Sequence, residues 1–264
     1  MTTRAADKIN YSTFPVSDGE PMAETFANQI QMLDLEFALQ TLFDLQERGA
    51  RTVVGGNQLM YYNARDGRDH VSPDVYVAFD RRPPAPPSWR TWVEGKFPDI
   101  VWEITSPSTQ EADLSAKPDG KRRLYADLGV REYYIYDPQQ AVDPPFAGYE
   151  SRAGRMESLS LLPSGGIMSP LLKTELRPMM MEETSRRPGG MWLRVIDPQS
   201  GRPLPTSEEV QHHLATLQRD FAALQERLAR DDQARVAAEQ RAAQADAAFD
   251  ADAKRDEDQE TTSG

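Results

Sequence analysis

A single glutamate interrupts an otherwise apolar segment of the chain. Glu103 stands between Trp102 and Ile104, in a run that is typical of a buried β-strand. Because a lone carboxylate is expensive to bury, such a residue is expected to pair with a cation or to bind a metal ion. A second acidic residue, Asp74, opens the preceding apolar run directly after a proline. The fold must therefore accommodate one carboxylate at the start of a strand and another in the interior of the next strand.

The apolar patterns around these two acids predict a small α/β sheet. The last two strands are separated by a short helix, and a unit of that kind usually makes a parallel pair with a right-handed crossover. A proline-rich segment, 81–97, is predicted to be a surface loop, or a flap beside a substrate that would use Trp89, Arg90 and Trp92. The predicted order is helix, strand, strand, strand, helix and strand, over residues 21–47, 52–62, 75–79, 99–105, 120–128 and 132–136.

The rest of the chain is predicted to form a β-rich extension and then a long helix. Strand patterns at 155–162 and 191–197 lie on either side of a methionine-rich patch, which is typical of core or edge packing. From Ser207 apolar residues alternate spacings of four and three, the pattern of a short coiled-coil seam. This helix is expected either to join two copies of the chain or to fold back on the core. The predicted divisions are an irregular lead-in (1–20), a globular domain (21–205), a helical tail (206–248) and a disordered acidic end (249–264).

Composition excludes several classes of site. The chain has no cysteine, so disulfides and thiolate metal sites are ruled out. No apolar run approaches the roughly 18 residues that a membrane helix needs, and the first residues lack the apolar region of a secretory signal. We therefore expect a cytoplasmic protein with no membrane partner. The net charge of −12, to which the residues from Ser207 contribute 14 acidic and 7 basic side chains, weighs against tight non-specific binding to nucleic acid.

Two acids on neighbouring strands with a lysine nearby suit metal-dependent hydrolysis of a phosphodiester. Hard divalent cations take oxygen ligands, and magnesium keeps several of its waters. The ion orients the phosphate and lowers the pKa of the attacking water, while a lysine can position that water and stabilise the extra negative charge. Mg²⁺, or Mn²⁺ in its place, is the cofactor that this pattern predicts.

Three segments of the sequence resemble one known family. SPDVYVAF (72–79), PDIVWEITSPST (98–109) and KRRLYADLGVREYYIYDP (121–138) are similar, in order and spacing, to the Uma2 (Uma-two) family of restriction endonucleases in the PD-(D/E)XK superfamily. The lead-in SDGEPMAET (17–25) and the glutamine- and alanine-rich tail helix also resemble members of that family. The resemblance implies a restriction-endonuclease-like mixed sheet with flanking helices over 21–205, DNA as the partner, and cleavage that leaves a 5′ phosphate.

The resemblance also implies roles for individual residues. Asp74 matches the first acidic ligand and Glu103 the second. The superfamily pattern places a lysine two residues after the second acid, but Thr105 stands there. The family spacing instead implies a lysine on the following helix. Lys121 fits because it precedes Tyr125 by four residues, and Lys117 is its rival.

A fourth carboxylate is implied for the N-terminal region. Glu20 and Glu24 both qualify by position, and Glu24 is preferred because it should lie on the first helix. Asp99 is a weaker candidate, since it shares a strand face with Glu103 but lies about 13 Å away along the strand.

Two functions of different classes follow from these observations. The leading one is a magnesium-dependent endodeoxyribonuclease in which Asp74 and Glu103 hold the metal and Lys121 assists the water. The alternative is a non-catalytic nuclease fold that serves as a binding or assembly module through its C-terminal helix. The acidic net charge favours the alternative, whereas the presence of both acids and the lysine favours catalysis.

Overall fold

The computed structural model describes residues 13–15, 25–106, 109–115, 117 and 120–261, with side chains described up to residue 244. The chain divides into two compact units, Met1–Glu208 and Glu209–Gly264. The helices are α1 (Phe26–Leu45), α2 (Thr91–Glu94), α3 (Gln110–Leu114), α4 (Lys121–Asp127) and α5 (Ser207–Thr261), and the strands are β1 (Thr52–Gly55), β2 (Met60–Tyr61), β3 (His70–Val71), β4 (Val75–Phe79), β5 (Trp89–Arg90), β6 (Ile100–Ile104), β7 (Glu132–Tyr136), β8 (Phe146–Arg152), β9 (Arg155–Ser158), β10 (Ile167–Ser169), β11 (Thr174–Met181) and β12 (Gly190–Val195).

A six-stranded mixed sheet forms the centre of the first unit. Its order is β1-β4-β6-β7-β8-β9, with β6 and β7 parallel and the other neighbours antiparallel. The parallel pair is connected through α3 and α4. A three-stranded sheet, β10-β11-β12, follows it in the chain. The predicted α/β class, with a mixed sheet, flanking helices, a β-rich extension and a long C-terminal helix, is confirmed.

Strand alternation divides the side chains of the central sheet between two apolar layers. On β4 and β6, Val75, Val77, Ile100, Trp102 and Ile104 pack in the layer that contains α1. The residues between them pack in a second layer, together with Tyr125 of α4. Asp74 and Glu103 fall in the alternation of that second layer. Both acids therefore belong to the face of the sheet that α4 covers.

The segment 52–62, predicted as one strand, is divided between two sheets. Chain direction changes after Gly55, so that β1 pairs with β4 whereas β2 pairs with β3 and β5. A Cβ atom at Gly56 would collide with the main-chain oxygen of Asp74 and the carboxylate of Glu36. Close approach of other groups thus requires glycine here, which explains why the strand cannot continue.

The proline-rich segment 81–97 contains more regular structure than predicted. It includes β5 and α2, although prolines dominate the sequence around them. Trp89 is fully buried, and its indole N–H donates to the carbonyl of Lys96 at 2.9 Å. Trp92 is 40% exposed. Trp89 is therefore a core residue, and of the two tryptophans in the predicted flap only Trp92 is exposed.

Strand β8 was missed by the sequence interpretation. It contains Gly148, and glycine weakens a strand pattern because it contributes no side chain. The ring of Tyr134 occupies the space where a Cβ atom at this position would lie. Packing between neighbouring strands therefore overrides the low strand propensity of the segment.

The carboxylate of Glu132 attaches the β-rich extension to the central sheet. This fully buried side chain accepts hydrogen bonds from the hydroxyl of Ser169 (2.5 Å), the amide of Leu171 (2.7 Å) and the hydroxyl of Tyr134 (2.9 Å). Burial raises its pKa, and the three donors partly offset the effect. The methionine-rich patch forms the end of β11, where Met180 pairs with Met191 and is exposed.

Helix α5 extends to Thr261, beyond the predicted end at residue 248. The segment contains no glycine or proline, and its many alanine, glutamine, glutamate and arginine residues have high helix propensity, which accounts for the greater length. The apolar row is exposed along this helix. Among the described residues, no helix combines the length and the apolar character that crossing a membrane requires.

Candidate active site

The two predicted acids lie near each other at one end of the β4–β6 pair. In the antiparallel pairing of these strands Val75 faces Trp102; Asp74 directly precedes Val75 and Glu103 directly follows Trp102, so continuation of this register would bring the two acids opposite each other. Side chains at such positions share a face, with Cβ atoms about 4.5–5.5 Å apart. The main-chain N–H of Ile104 donates to Asp74 Oδ2 at 2.6 Å and fixes that carboxylate beside the strand.

Glu103 is almost completely buried and both of its oxygens are engaged. Its exposed fraction is 2%. Lys121 Nζ donates to Oε2 at 2.8 Å, and the hydroxyl of Tyr125 donates to Oε1 at 2.6 Å. Both donors come from α4, where residues four apart share one side of the helix. The first two turns of α4 thus supply the groups that hold this carboxylate.

A third carboxylate, which the sequence did not single out as a site residue, completes the cluster. Asp113 of α3 is 1% exposed, and its Oδ1 lies 3.0 Å from Lys121 Nζ. Its Oδ2 accepts a hydrogen bond from the hydroxyl of Thr105 at 2.7 Å. The hydroxyl of Tyr133 donates to its main-chain oxygen at 3.1 Å. The available signal was its place four residues before Lys117 and eight before Lys121.

The two candidate lysines occupy different environments. The side chain of Lys121 is 31% exposed and lies between the carboxylates of Glu103 and Asp113. The side chain of Lys117 is 70% exposed, and its Nζ is 3.5 Å from a carboxylate oxygen of Glu111, itself 90% exposed. The structure therefore brings Lys121, and not Lys117, to Glu103.

Burial and charge act in opposite directions on this cluster. Burial raises the pKa of Glu103, and Asp113 adds to the effect, whereas Lys121 and Tyr125 partly offset it. Burial alone would lower the pKa of Lys121, but the carboxylates of Glu103 and Asp113 outweigh it and raise the pKa. Lys121 is therefore a stable ammonium ion at neutral pH.

The N-terminal candidates, Glu20 and Glu24, lie outside the described residues. Another carboxylate of the first helix, Glu36, lies close to the main chain of Asp74 across Gly56. Burial raises the pKa of Glu36 to about 7. The sequence interpretation missed it because an acidic residue on an amphipathic helix is ordinarily solvated.

Asp99 is at the opposite end of β6 from Glu103. Its Oδ2 accepts a hydrogen bond from the main-chain N–H of Phe79 at 2.8 Å and forms an ion pair with Lys96 at 2.5 Å. Both interactions close the start of the strand, so Asp99 has a structural role at a distance from the other acids. The tyrosines of β7 are buried within the sheet layers.

Asp74 and Glu103 are the two residues of this cluster that could hold a divalent cation. Asp74 and Glu103 present two carboxylates side by side, and like charges at such a position are destabilising unless a cation lies between them. No group of three or more acidic or histidine side chains among the described residues is arranged to hold a metal ion. Two protein carboxylates suffice for magnesium, because this ion retains several water ligands.

Comparison with known protein families identifies one whose profile spans these residues. The sequence profile of the Uma2 family, described as "Putative restriction endonuclease", matches residues 13–171, which is more than half of the chain. The chain belongs to the Uma2 family. The matched span includes Asp74, Glu103, Asp113 and Lys121, whereas β11, β12 and α5 follow it.

Other comparisons add little to the Uma2 assignment. Among solved structures, a "putative nuclease belonging to DUF820" from Anabaena variabilis is similar, with 16% sequence identity and a TM-score of 0.38 over 60% of this chain and 82% of that one. No curated protein matches the Uma2 chain.

Proposed function

We propose that this Uma2 protein is a magnesium- or manganese-dependent endonuclease that hydrolyses phosphodiester bonds of DNA. The observation that carries the proposal is the neighbouring pair Asp74 and Glu103, with the ammonium of Lys121 at 2.8 Å from Glu103. Three groups of this kind on one sheet face match the chemistry of phosphodiester hydrolysis. The match with residues that the Uma2 resemblance implies supports a catalytic role for this ion-paired lysine.

Asp74 and Glu103 would hold the metal ion. When bound, the ion would supply a water of lowered pKa and would shield the charge that develops on the phosphate. The amide of Ile104 already orients the Asp74 carboxylate, and Tyr125 orients Glu103. Both acids are therefore held in place before any ligand arrives, which limits the reorganisation that binding requires.

Lys121 would act as a charged donor. In the metal-free protein the carboxylates of Glu103 and Asp113 raise its pKa, which favours the ammonium form. A charged donor beside the scissile phosphate would stabilise the added negative charge of the transition state. Asp113 touches Lys121 and not the reacting atoms, so it is a positioning residue.

The test is cleavage of supercoiled, linear and single-stranded DNA in Mg²⁺ or Mn²⁺. We expect the parent to cut at least one form and leave 5′ phosphates, and Asp74→Ala and Lys121→Ala to lose at least about 100-fold in rate. Lys117→Ala is the matched control, because it removes the same charge from an exposed neighbour. Failure of the parent to cut any of the three substrates, or full activity of Asp74→Ala, would exclude the proposal.

A second candidate function is favoured by one specific observation. Large apolar side chains of α5, among them Leu214, Leu217 and Phe221, are at least 50% exposed. This apolar row would serve an assembly module that joins copies of the chain, with or without catalysis. Molecular mass in solution as a function of concentration tests it independently of cleavage.

A further inference from the structure

A small cavity lined by arginines lies beside α4. Its volume is about 220 Å³, and it lies between α4 and the hairpin that joins β8 to β9. Three of the residues that line it are Arg122, Arg123 and Arg155. Three arginines around one cavity make its surroundings electropositive. The cavity is thus suited to a ligand of negative charge.

The three arginines differ in how their charge is balanced. Arg123 is paired with Asp127 at 2.9 Å. Within the described part of the chain, no carboxylate forms an ion pair with Arg122 or Arg155. The guanidinium of Arg122 lies 4.9 Å from the centre of the Tyr149 ring. Stacking on an aromatic face leaves the N–H donors at the edge of the guanidinium available, and their fork geometry matches a phosphate.

The hairpin that forms one wall of the cavity is tight. Its two central residues, Ala153 and Gly154, both have positive φ angles, 48° and 77°, and the flanking arginines, Arg152 and Arg155, are paired in register. Positive φ at both central positions is typical of the two-residue turns that match the twist of a hairpin. A short, defined turn holds the wall at a fixed distance from α4.

The cavity is close to the candidate active site and on the same face of the sheet. Tyr149 pairs with Tyr133, which pairs with Val101, two residues before Glu103. With strands about 4.8 Å apart and about 3.3 Å per residue, Tyr149 lies about 12 Å from Glu103. A separation of this size lies within the reach of a single duplex, because one strand of DNA carries a phosphate for about every 3.4 Å of helix axis.

We propose that this cavity binds a backbone phosphate of a DNA duplex whose scissile phosphate lies at Asp74 and Glu103. The proposal rests on the proposed function for the identity of the substrate. Contacts of this kind position a duplex without reading its sequence, and they give a chain of net negative charge a local basic surface for DNA. The two sites together would define the direction in which the duplex crosses the sheet.

The experiment measures binding apart from cleavage. Fluorescence anisotropy of a duplex of about 20 base pairs, in EDTA and at several salt concentrations, gives the affinity and its salt dependence. The cavity double variant carries Arg122→Gln and Arg155→Gln. It is compared with a control double variant, Arg51→Gln with Arg202→Gln, which removes the same charge from exposed positions elsewhere. We expect the cavity variant to bind about tenfold more weakly or worse, and to lower the salt slope by about 1 to 2.

A conservative variant separates charge from packing. Arg122→Lys keeps a positive charge but loses the fork geometry and the stacking on Tyr149, so its affinity should lie between those of the parent and of Arg122→Gln. An equal loss in Arg122→Lys and Arg122→Gln, or an equal loss in the cavity and control double variants, would overturn the proposal. Cleavage is measured separately in Mg²⁺. If the parent binds through the cavity but cuts nothing, the nuclease proposal fails alone; if it cuts and the cavity variant binds as tightly, the cavity proposal fails alone.

Discussion

The hydroxyl of Thr105 donates a 2.7 Å hydrogen bond to the carboxylate of Asp113. Thr105 stands two residues after Glu103, where the superfamily pattern places its lysine. The same aspartate lies 3.0 Å from Lys121, which reaches the site from α4. The carboxylate of Asp113 therefore contacts both Thr105, which stands where the superfamily pattern has a lysine, and Lys121, the lysine that reaches Glu103 instead.

Removing the charge of Asp113 should change the behaviour of Lys121. In Asp113→Asn the ammonium loses one of the two carboxylates that raise its pKa, so the pKa should fall. We expect turnover to fall about 10- to 100-fold, as for other residues that orient a catalytic group, with little change in KM. The alkaline limb of the pH–rate profile should move to lower pH.

A variant of Thr105, the uncharged hydrogen-bond partner of Asp113, provides the control for this experiment. Thr105→Val removes a hydrogen bond to Asp113 but leaves its charge near Lys121. Its effect on the alkaline limb should be smaller than that of Asp113→Asn. If the limb stays in place in both variants, Asp113 does not act through the charge of Lys121.

The loss of the Tyr125 hydroxyl should destabilise the metal-free protein more than the metal-bound one. Tyr125→Phe leaves Glu103 Oε1 without its donor, and hydrogen bonds to charged groups contribute about 1.5–3 kcal/mol. A bound ion would take over part of the stabilisation of this carboxylate. Urea unfolding in EDTA and in excess Mg²⁺ measures the difference.

Tyr149→Phe is the matched control for Tyr125→Phe. Tyr149 packs in the same apolar layer and is also buried, but it belongs to β8, two strands away from Glu103. We expect Mg²⁺ to change the free energy of unfolding of Tyr149→Phe by the same amount as that of the parent. An identical response in Tyr125→Phe would argue against metal binding at Glu103.

The fold could be predicted where apolar periodicity was strong. Strands β4, β6 and β7 follow from short, largely apolar runs. Strand β8 could not be predicted, because Gly148 within it is required by the ring of Tyr134, a contact that exists only in the folded chain. The division of 52–62 has the same origin, since Gly56 is set by the approach of Asp74 and Glu36.

The candidate site could be proposed in part from the sequence. The combination of Asp74 and Glu103 at or within apolar strands with a nearby lysine singled out the two acids, and the resemblance to the Uma2 family implied their roles. Asp113 was not singled out, because it stands in a polar segment and becomes buried only when α3 packs beside Thr105. The sequence could not decide between Lys117 and Lys121, because the segment around them has no periodicity that shows which lysine faces Glu103.

The free energy of unfolding should decrease between pH 4.5 and about 7 because of the raised pKa of the Glu36 carboxyl group. Burial raises the pKa of this group from 4.5 to about 7, so the folded protein binds its proton more tightly than the unfolded chain does. Its contribution is therefore fully present below pH 4.5 and is lost as the pH rises through 7. Because the side chain remains partly exposed, we expect a change on the order of 1 kcal/mol.

Glu36→Gln isolates this contribution from those of other carboxylates. The variant should be more stable than the parent above pH 7 and should lose part of the pH dependence between 4.5 and 7. Asp44→Asn is the control, because Asp44 is an exposed acid of the same helix and its loss removes the same charge. Urea unfolding at several pH values measures the three proteins. Parallel stability curves for Glu36→Gln and the parent would contradict the assignment.

The seam of α5 should decide the oligomeric state. Leu217 and Leu224 are seven residues apart and at least 50% exposed, so they occupy equivalent positions of the heptad pattern. If this row joins two copies, the parent should sediment as a dimer and Leu217→Gln with Leu224→Gln as a monomer. Ala215→Gln with Ala222→Gln changes polarity at positions outside the seam and should leave the mass unchanged. A parent that stays monomeric at all concentrations, or a double leucine variant that stays dimeric, would rule out dimerisation through this seam.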